Sequence, residues 1–378
     1  MTTTTMAFSP VRLWAITRKE TLQLRRDARS LGLAFLLPLI MLILFGYAIT
    51  TDVQHITAAV LDRDHSPESR ALVDAFERSG YFNVEYAPRT DREVSALIDR
   101  GSVRLALVIP ERFAADLAAR RTAPVELLLD GSDAKTATVA RGYADAIAAS
   151  YSAKVTVGAR QTTPPVRAEG RVWYNETLDS AATVVPGLIA VIMSIIAAML
   201  TSLTIAREWE RGTMEQLAAT PVGRAEVILG KLLPYLAIGL IDVAVALLVG
   251  VYVFGVPFRG SLLLFAVTTT LFLLGVLALG IMLSSALKSQ LLASQAAIFA
   301  TYMPALIFSG FMYTLSNMPV ALQLVSRVVP ARYYVAASRG LFLKGIGIDV
   351  LWPSLAGLAI YATVMLGLSV RAFKKELV

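Results

Sequence analysis

Residues 207–231 read REWERGTMEQLAATPVGRAEVILGK, a short charged segment that separates two long apolar runs. The run before it, residues 180–206, contains no Asp, Glu, Lys or Arg, and the run after it, residues 232–258, contains only Asp242. Because about 20 consecutive apolar residues can cross a bilayer as a helix, both runs are candidate membrane spans. The charged segment is therefore predicted to lie at a membrane surface, where it can contact another protein.

Local signals within this segment predict one short helix. The helix is expected to start near Glu208, and the pair Pro221 and Gly223 is expected to end it or turn the chain. The segment would then be a polar helix held closely between two membrane spans.

Charge is distributed unevenly along the 378 residues. Residues 51–180 hold 16 Lys/Arg and 19 Asp/Glu, a net charge of −3, whereas the remainder holds 19 and 9, a net of +10. The first part is typical of a soluble domain, and the rest is typical of membrane spans with basic edges. Membrane topology therefore explains the high pI better than nucleic-acid binding does.

The absence of cysteine and the scarcity of histidine exclude several kinds of site. With no Cys, the chain has no disulfide, no thiolate nucleophile and no cysteine-zinc site. His55 and His65 are ten residues apart and do not make a metal site by themselves. No GxSxG or HExxH motif is present either.

Six apolar runs are predicted to cross the membrane. They are residues 30–51, 180–206, 232–254, 261–287, about 291–312, and 350–370. Charge is absent from residue 289 to residue 326, which is 38 residues, too long for one span and barely long enough for two. The fifth span is therefore expected to be followed by a re-entrant region, residues 313–349, that dips in from the outer face and is covered by protein.

Basic residues predict the orientation of these spans. With six spans, fourteen Lys and Arg residues fall on one side: Arg12, Arg18, Lys19, Arg25, Arg26, Arg29, Arg207, Arg211, Arg224, Lys231, Lys288, Arg371, Lys374 and Lys375. The opposite short loops hold Arg259, Arg327, Arg332, Arg339 and Lys344. Both termini, including the tail 372–378, and the charged segment 207–231 are thus predicted to be cytoplasmic. A seventh span would move the basic tail outside.

The first 29 residues have features of a helix that lies along the inner membrane face. Phe8, Val11, Trp14 and Ala15 share one helical face behind Ser9-Pro10, and several arginines follow. An ordinary basic flank is the alternative. The length of this region and the lack of a small-residue cleavage pattern at residues 50–52 argue against a cleaved signal peptide.

Residues 52–180 are predicted to form a small α/β domain outside the cytoplasm, between the first and second spans. Strand-like and helix-like runs alternate, with strands at 55–61, 81–86, 104–109 and 125–129, helices at 66–79, 91–100, 110–120 and 134–158, and a linker at 161–165. The acidic groups Asp62, Asp64, Glu68 and 130–133 could bind a cation or a polar ligand. Helix caps and turns are the simpler interpretation.

The run REWERGTMEQLAATPV resembles the cytoplasmic signature of membrane subunits of type-2 ABC exporters, in the group with a large outer domain after the first span. The matching positions are Glu208, Gly212, Thr213, Met214, Glu215, Gln216, Thr220 and Pro221. The runs at 230–243, 255–261 and 330–345 also look like this group. The resemblance covers essentially the whole chain.

This resemblance implies a homodimer or a paired heterodimer of permeases, each joined to a separate cytoplasmic ATPase that binds ATP and Mg. The chain has no GxxxxGK[ST] phosphate loop of its own, so it is expected to be neither an enzyme nor a holder of cofactors. Energy must then arrive by contact, and the resemblance assigns that contact to the segment 207–231, including Glu210 and Arg211. A solvated connector stabilised by its own charge pairs is the alternative.

The second and fifth spans line the translocation path in related exporters. Here they carry Met193, Met199, Phe299, Tyr302, Met303, Phe308 and Met312, flexible and aromatic side chains that suit varied apolar substrates but also pack any bundle. Asp242 is the one ionisable residue inside a span, and it is expected to face the bundle interior. It would pair with a polar group there or hold a cationic substrate.

The expected function is export of amphiphilic, drug-like substrates across a bacterial inner membrane, with lipids or a secreted polymer or peptide as alternatives. The outer domain suggests a periplasmic adaptor and an outer-membrane channel as further partners. A receptor or sensor whose outer domain binds a ligand is the alternative from another class, and it would need an inner signalling domain. A secondary transporter would usually show internal repeats, and none is visible.

Overall fold

The computed structural model describes residues 8–49, 55–119, 121–131, 134–158 and 180–373. It divides into two units: a helical unit (Met1–Thr51 and Arg171–Val378) and an α/β unit (Asp52–Gly170). The predicted linker 161–165 and most of the predicted tail 372–378 lie outside the described residues.

The secondary structure follows the order helix pair, α/β unit, helix array. The helical unit begins with α1 (Pro10–Arg26) and α2 (Ala28–Ile49). The α/β unit contains β1 (Ile56–Asp62), α3 (Pro67–Glu77), β2 (Phe82–Tyr86), α4 (Asp91–Asp99), β3 (Leu105–Ile109), α5 (Phe113–Ala118), β4 (Glu126–Leu129) and α6 (Ala134–Gly158). The helical unit resumes with α7 (Ser180–Glu210), α8 (Met214–Ala218), α9 (Arg224–Tyr252), α10 (Leu262–Leu287), α11 (Gln290–Phe308), a 3₁₀ turn (Leu315–Asn317), α12 (Val320–Ser326), α13 (Pro330–Arg339), a π-helical turn (Gly340–Lys344) and α14 (Ile348–Ala372).

Five of the described helices are long and apolar enough to cross a membrane: α7, α9, α10, α11 and α14. In α2 the apolar stretch is shorter, Ala34–Ala48. The predicted boundary at residue 312 was wrong, because α11 ends at Phe308. There the Ser309 hydroxyl accepts a hydrogen bond from the Phe311 amide at 3.1 Å, a local bond that competes with helix continuation.

Contacts between helix ends define a charged end of the helical unit. Asp27, just before α2, accepts a hydrogen bond from Arg207 near the end of α7 at 3.0 Å. Glu210, the last residue of α7, accepts one from the backbone amide of Gln290, the first residue of α11, at 2.7 Å. The starts of α2 and α11 therefore lie beside the end of α7.

A second set of contacts defines the opposite end. Near the end of α2, the ring of Tyr47 lies 5.0 Å from that of Phe254, which follows α9. Arg339, at the end of α13, donates to the carbonyls of Thr183 at 3.2 Å and Gly310 at 2.9 Å. Thr183 lies at the start of α7, and Gly310 lies in the turn after α11. Because the two sets of contacts involve opposite ends of the same helices, α2 and α11 cross the unit in one direction and α7 crosses it in the other.

Helix α7 is the central helix of the unit. It is buried along most of its length and packs against α2, α9, α10, α11 and α13. Small residues and hydroxyl side chains allow this close packing: the Thr201 hydroxyl lies 2.9 Å from the carbonyl of Leu277 on α10. On the other side of α10, the buried Tyr334 of α13 stacks on Phe272 at 4.3 Å and shares a 3.0 Å hydrogen bond with Thr269.

The α/β unit has a four-stranded sheet of order β2-β1-β3-β4, with β4 antiparallel to β3 and the others parallel. One face of β1 and β3 packs against α3, α5 and α6, and the other packs against α4. The predicted ends of the strands and helices lie within two residues of those observed, with one exception. The exception is the start of α5, which was predicted at residue 110 and begins at Phe113, where the Asp64 carboxylate accepts a hydrogen bond from the Ala114 amide at 3.0 Å.

Candidate coupling site at the charged end

The segment 207–231 is three pieces of structure rather than one helix. Its first four residues are the last turn of α7, its middle contains α8 of five residues, and its last eight residues are the start of α9. The predicted helix start near Glu208 was therefore wrong, because α7 continues through that residue. Gly212 has a φ of +69° and turns the chain between α7 and α8. Residues with a side chain are strained in this backbone conformation, and glycine is not.

A buried ionic cluster joins α1, α7 and α9, and we call its four residues the ionic cluster. The Lys231 ammonium lies 2.7 Å from Glu20 Oε1 and 3.0 Å from Glu208 Oε1. Lys19 reaches the same Glu208 oxygen at 3.0 Å. The side chains of Lys231, Glu20 and Glu208 are 2%, 6% and 8% exposed, whereas that of Lys19 is 54% exposed. Two positive and two negative charges thus balance in a largely dry site.

Close approach of α1 and α9 creates this burial. A Cβ atom at Gly230 would lie 2.7 Å from the Ile16 side chain, so only glycine lets α1 approach α9 this closely. Lys231 follows Gly230 directly, and its side chain lies in the contact between α1 and α9, where it reaches Glu20 of α1. Because buried charges are stable only when paired and hydrogen-bonded, Glu20 and Glu208 are required partners.

A second ion pair secures the beginnings of α1 and α9. Glu226 accepts from Arg12 through both carboxylate oxygens, at 2.8 Å from Nη2 and 3.0 Å from Nε. The same carboxylate accepts from the backbone amides of Ser9 at 2.6 Å and Gly223 at 2.8 Å, which caps the start of α9. The hydrogen bond to Glu226 raises the pKa of the Arg12 guanidinium, so Arg12 stays charged at any physiological pH.

Further polar contacts fix the end of α7 to its neighbours. Glu210 is bound by the backbone and side-chain amides of Gln290. The Lys288 ammonium lies 4.1 Å from the centre of the Trp209 ring, a cation–π contact. With the Arg207–Asp27 pair, these contacts tie the last turn of α7 to the starts of α2 and α11.

The predicted coupling residues divide into two groups. Two are buried inside the chain, Glu208 and Met214, and Thr213 is half-buried. The exposed ones are Glu210, Arg211, Gly212, Glu215, Gln216, Thr220 and Pro221. The exposed positions from Arg211 to Pro221 form what we call the exposed turn of the segment. It is available to another protein, whereas Glu208 is committed to the ionic cluster.

A cavity of about 580 Å³ lies between α1 and the exposed turn. Its wall combines basic side chains, Arg12, Lys19, Arg207 and Arg211, with apolar ones, Ala15, Ile16, Leu217 and Val222. Glu208 also lines it, and its Oε2 atom has no hydrogen-bond partner among the described residues. The concave shape and mixed chemistry suit an inserted protein side chain.

The ionic cluster was not predicted. Lys231 was noted as the end of the segment, as one of the fourteen basic residues and as part of the run 230–243, but not as a member of an ion pair. Glu20, Lys19, Arg12 and Glu226 were not singled out as site residues. One signal could have found them: Lys231 begins a long apolar run, so its charge needs a partner, and acidic residues on the neighbouring amphipathic helix are the nearest supply.

The face of α1 that packs on the protein is not the predicted apolar face. Val11 and Trp14 are 77% and 67% exposed, and Phe8 and Ala15 are exposed as well. The buried face instead carries Ile16, Thr17, Glu20 and Leu24. An aromatic and aliphatic face left uncovered beside membrane helices matches a helix that lies on a lipid surface.

The predicted path residues lie in different environments. Met193 on α7 is 2% exposed and packs inside the helical unit, and Met199 is half-buried. On α11, Phe299 and Met303 are 68% and 47% exposed, Tyr302 and Phe308 are half-buried, and Met312 beyond the helix is 55% exposed. The α11 positions, unlike Met193, are accessible from outside this chain. Their role in a path stays a prediction.

Asp242 is buried within α9, with 5% exposure. Its carboxylate forms no hydrogen bond or ion pair with the described part of the chain. It lines a void of only about 10 Å³ together with Met193, Tyr235 and Leu277. Such a void is at the lower limit for one water molecule, so it holds no substrate in this arrangement.

The acidic residues of the α/β unit act as caps and turn formers. Asp62 accepts from the amides of Asp64 at 3.0 Å and His65 at 3.1 Å, and from the Ser69 hydroxyl at 2.6 Å. Ser66 accepts from the Ser69 amide at 3.0 Å and caps α3. The described residues contain no group of three or more His, Asp or Glu side chains placed to hold a metal ion.

Comparison with known proteins gives the family. The model of the ABC-2 family transporter protein matches residues 29–371, nearly the entire chain. The chain belongs to the ABC-2 transporter family. It is a multi-pass membrane permease of the type-2 ABC class, a class whose membrane subunits are generally not enzymes.

Curated relatives of this ABC-2 permease cover it almost end to end. It is 34% identical over 375 residues to the probable multidrug ABC transporter permease YbhS of Escherichia coli strain K12, covering 98% of this chain and 99% of that one. It is 33% identical to the probable multidrug permease YbhR of the same strain, covering 91% and 93%. It is 26% identical to the inner membrane transport permease YhhJ, covering 84% and 85%.

Proposed function

We propose that this ABC-2 permease is the transmembrane subunit of an ATP-driven exporter and works with a separate ABC ATPase subunit. The observation that carries the proposal is the exposed turn Arg211–Pro221. This turn is presented between two long helices whose ends are fixed by the ionic cluster and the Arg12–Glu226 pair. Force applied to such a turn passes directly to α7, the central helix, and to α9, rather than being lost in a flexible loop.

The chemistry of the neighbouring cavity supports a protein partner. Its apolar wall can take one inserted side chain, and the exposed Arg211 and Lys19 nearby favour acidic groups around that side chain. The exposed Glu215 on the same turn favours a basic group on the partner. ATP and Mg would be bound by the ATPase and not by this chain. The complex would contain a second permease subunit, a copy of this chain or a paired relative.

The proposed topology has six spans, with α2 as the first, and both termini in the cytoplasm of a bacterium. Support comes from the fourteen basic residues predicted to lie on one side and from the direction of α7, which is opposite to that of α2 and α11. The α/β unit would lie outside the inner membrane, where a periplasmic adaptor and an outer-membrane channel could meet it. The relative YhhJ is named an inner membrane transport permease, which is consistent with this location.

Amphiphilic, drug-like molecules are the proposed substrates, with lipids or a secreted polymer as alternatives. The names of YbhS and YbhR, both probable multidrug permeases, support this class. The exposed aromatic and thioether side chains of α11 offer adaptable apolar contacts. We place the path along α11, with Asp242 reaching it when α7, α9 and α10 separate.

Replacement of one exposed charge tests the coupling role. Tagged permease would be purified from its own host, and co-purified ABC ATPase and ATP-driven uptake of an amphiphilic dye into inverted vesicles would be measured. Glu215→Lys should lose most of the ATPase and the uptake, while Glu77→Lys, the same change at an exposed position of the α/β unit, should keep both. Wild-type permease without an ATPase, or a fully active Glu215→Lys variant, would contradict the proposal.

Asp242→Asn tests the path separately. The side chain keeps its shape and loses its charge, and since no ion pair is broken the amount of folded protein in the membrane should stay close to wild type. Uptake of a cationic dye should fall more than uptake of a neutral one. Equal loss of both dyes together with loss of folded protein would mean that Asp242 has a packing role only.

A further inference from the structure

A second cavity, of about 290 Å³, lies inside the helical unit away from the charged end. Its wall is formed by α7, α10, α11, the end of α12 and the chain that follows it, α13 and α14. Of the predicted path residues, Phe308 is part of this wall. Four of its helices, α7, α10, α11 and α14, are among the five long enough to cross a membrane. The cavity therefore lies within the part of the permease that a bilayer surrounds.

The wall offers a ligand almost no polar chemistry. It contains no Asp, Glu, Lys or Arg. The hydroxyls of Ser194 and Thr301 already donate to the carbonyls of Ala190 and Ala297 on their own helices, each at 2.7 Å. Tyr361 contributes a ring that lies against Gly275 of α10. Apart from the Tyr361 hydroxyl the wall offers an occupant no uncommitted polar side chain, so a charged or strongly polar occupant would lose most of its hydration without compensation and an apolar one is favoured.

The size of the cavity limits the occupant to one flexible chain. An apolar cavity of about 150 Å³ takes up benzene, and pockets for drug-sized ligands span about 300–1,000 Å³. At 290 Å³ the cavity accepts part of one hydrocarbon chain and is at the lower limit for a whole drug-like molecule.

The cavity is reached from the outer surface of the helical unit. Ala300 and Val328 both line it, Val328 is 70% exposed, and Ala300 is exposed as well. The surface around this mouth is apolar: Phe299 is 68% exposed and Val325 is 50% exposed. In a bilayer, an apolar surface at the side of a spanning bundle contacts lipid chains, which are present at far higher concentration than any other apolar molecule.

We propose that this cavity binds one acyl chain of a bilayer phospholipid, which enters beside Ala300 and Val328. The chain would pack between α11 and α14 against the apolar side chains of the wall. The proposal rests on the membrane location of these helices and not on ATP coupling or on the exported substrate.

Photolabelling tests the proposal directly. The purified permease would be reconstituted in phosphatidylethanolamine and phosphatidylglycerol vesicles that contain phosphatidylcholine with a diazirine at the end of one acyl chain. Label should appear on wall residues such as Thr301, Ala305 and Met365. Ala300→Leu narrows the mouth and should remove most of that label, while Ala356→Leu, the same change at an exposed position of α14 outside the wall, should leave it unchanged.

A second variant guards against a folding artefact. Ala305→Leu fills the interior of the cavity instead of its mouth and should lower the label equally, and both variants should elute as folded protein on size-exclusion chromatography. Label on Ile241, which is 54% exposed on α9, a helix outside the wall, should persist in all variants. These comparisons separate loss of binding from loss of structure.

Three labelling outcomes would overturn the proposal. They are an unlabelled wall, wall labelling that is equal in wild type and Ala300→Leu, and loss of wall labelling when a long-chain alkylammonium is added at a low ratio to lipid. The last would mean that the cavity prefers an amphiphile over phospholipid. A photoreactive residue in place of Val328 that cross-links to a second permease copy would also overturn it, because that copy rather than lipid would then cover the mouth. Since labelling needs no ATPase, failed transport with intact labelling would count against the proposed function alone.

Discussion

The ends of the segment 207–231 and its exposed turn contain similar charged residues that contact very different partners. At the ends, Glu208, Glu226 and Lys231 are buried and paired with residues of α1. In the turn, Arg211 and Glu215 are exposed to solvent. One charged stretch therefore serves both for internal fixation and as an external surface, and the burial of each side chain decides which.

The largest effect should follow from breaking the ionic cluster. Lys231→Met leaves the buried carboxylates of Glu20 and Glu208 without their shared cation, and removal of one partner from a buried pair costs about 3–5 kcal/mol. We expect little folded protein in the membrane and a sharp fall in the thermal unfolding midpoint in detergent. Lys19→Met is the control, because an exposed pair contributes less than about 1 kcal/mol. Similar losses from both variants would mean that burial does not distinguish the two lysines.

The next effect should come from the Arg12–Glu226 pair. Arg12→Ala removes the guanidinium hydrogen bonds to the Glu226 carboxylate, which keeps two backbone amides and has no other cation among its partners in the described residues. The unfolding midpoint should fall less than in Lys231→Met and more than in Arg18→Ala, the same substitution at an exposed position of α1. Differential scanning fluorimetry of the three purified variants measures this order. Equal midpoints for Arg12→Ala and Arg18→Ala would mean that the Arg12–Glu226 pair does not stabilise the protein.

A smaller effect is expected at the turn between α7 and α8. A Cβ atom at Gly212 would meet no other atom within 4 Å, so the cost of Gly212→Ala is only that of its positive φ, about 1–2 kcal/mol. Gly212→Asn should cost less, because Asn adopts this backbone conformation more readily. Unfolding midpoints would be compared for the two variants. If Asn destabilised more than Ala, steric crowding rather than φ would explain the glycine.

The smallest effect on stability should be at Glu215. Its side chain is exposed, and surface substitutions of this kind change the free energy of unfolding by no more than about 0.5 kcal/mol. Glu215→Lys should therefore unfold at the wild-type temperature and still lose ATPase binding. A marked fall in its unfolding midpoint would show that the turn is part of the packed structure, which would remove the contrast between the ends and the turn.

Sequence patterns predicted the elements of this chain better than its contacts. The alternating strands and helices of the α/β unit were found because alternation and Pro or Ser caps are local signals. The start of α9 was missed because Arg224 and Glu226 look like loop residues, although Glu226 caps the helix through the Gly223 amide. The end of α7 was missed because its last turn is charged, and a helix held by partners on α2 and α11 does not need an apolar face there.

The candidate site was predicted in its exposed part only. Arg211 and Glu215 were found through a family resemblance carried by consecutive residues. Glu20 and Lys231 are 211 positions apart in the chain, and no periodicity links them. Their pairing depends on Gly230, which lets α1 lie close to α9.

By itself, the sequence determined that the chain crosses a membrane several times, carries an α/β insertion and displays a charged segment between two apolar runs. Those conclusions depend on hydrophobic length, period and charge, which are properties of neighbouring residues. Only the tertiary structure decided which charges of that segment are buried, which face of α1 packs on the protein, and where the helices enclose an apolar cavity. Burial and pairing arise when distant residues are brought together, and the free energy of a charge depends on those neighbours.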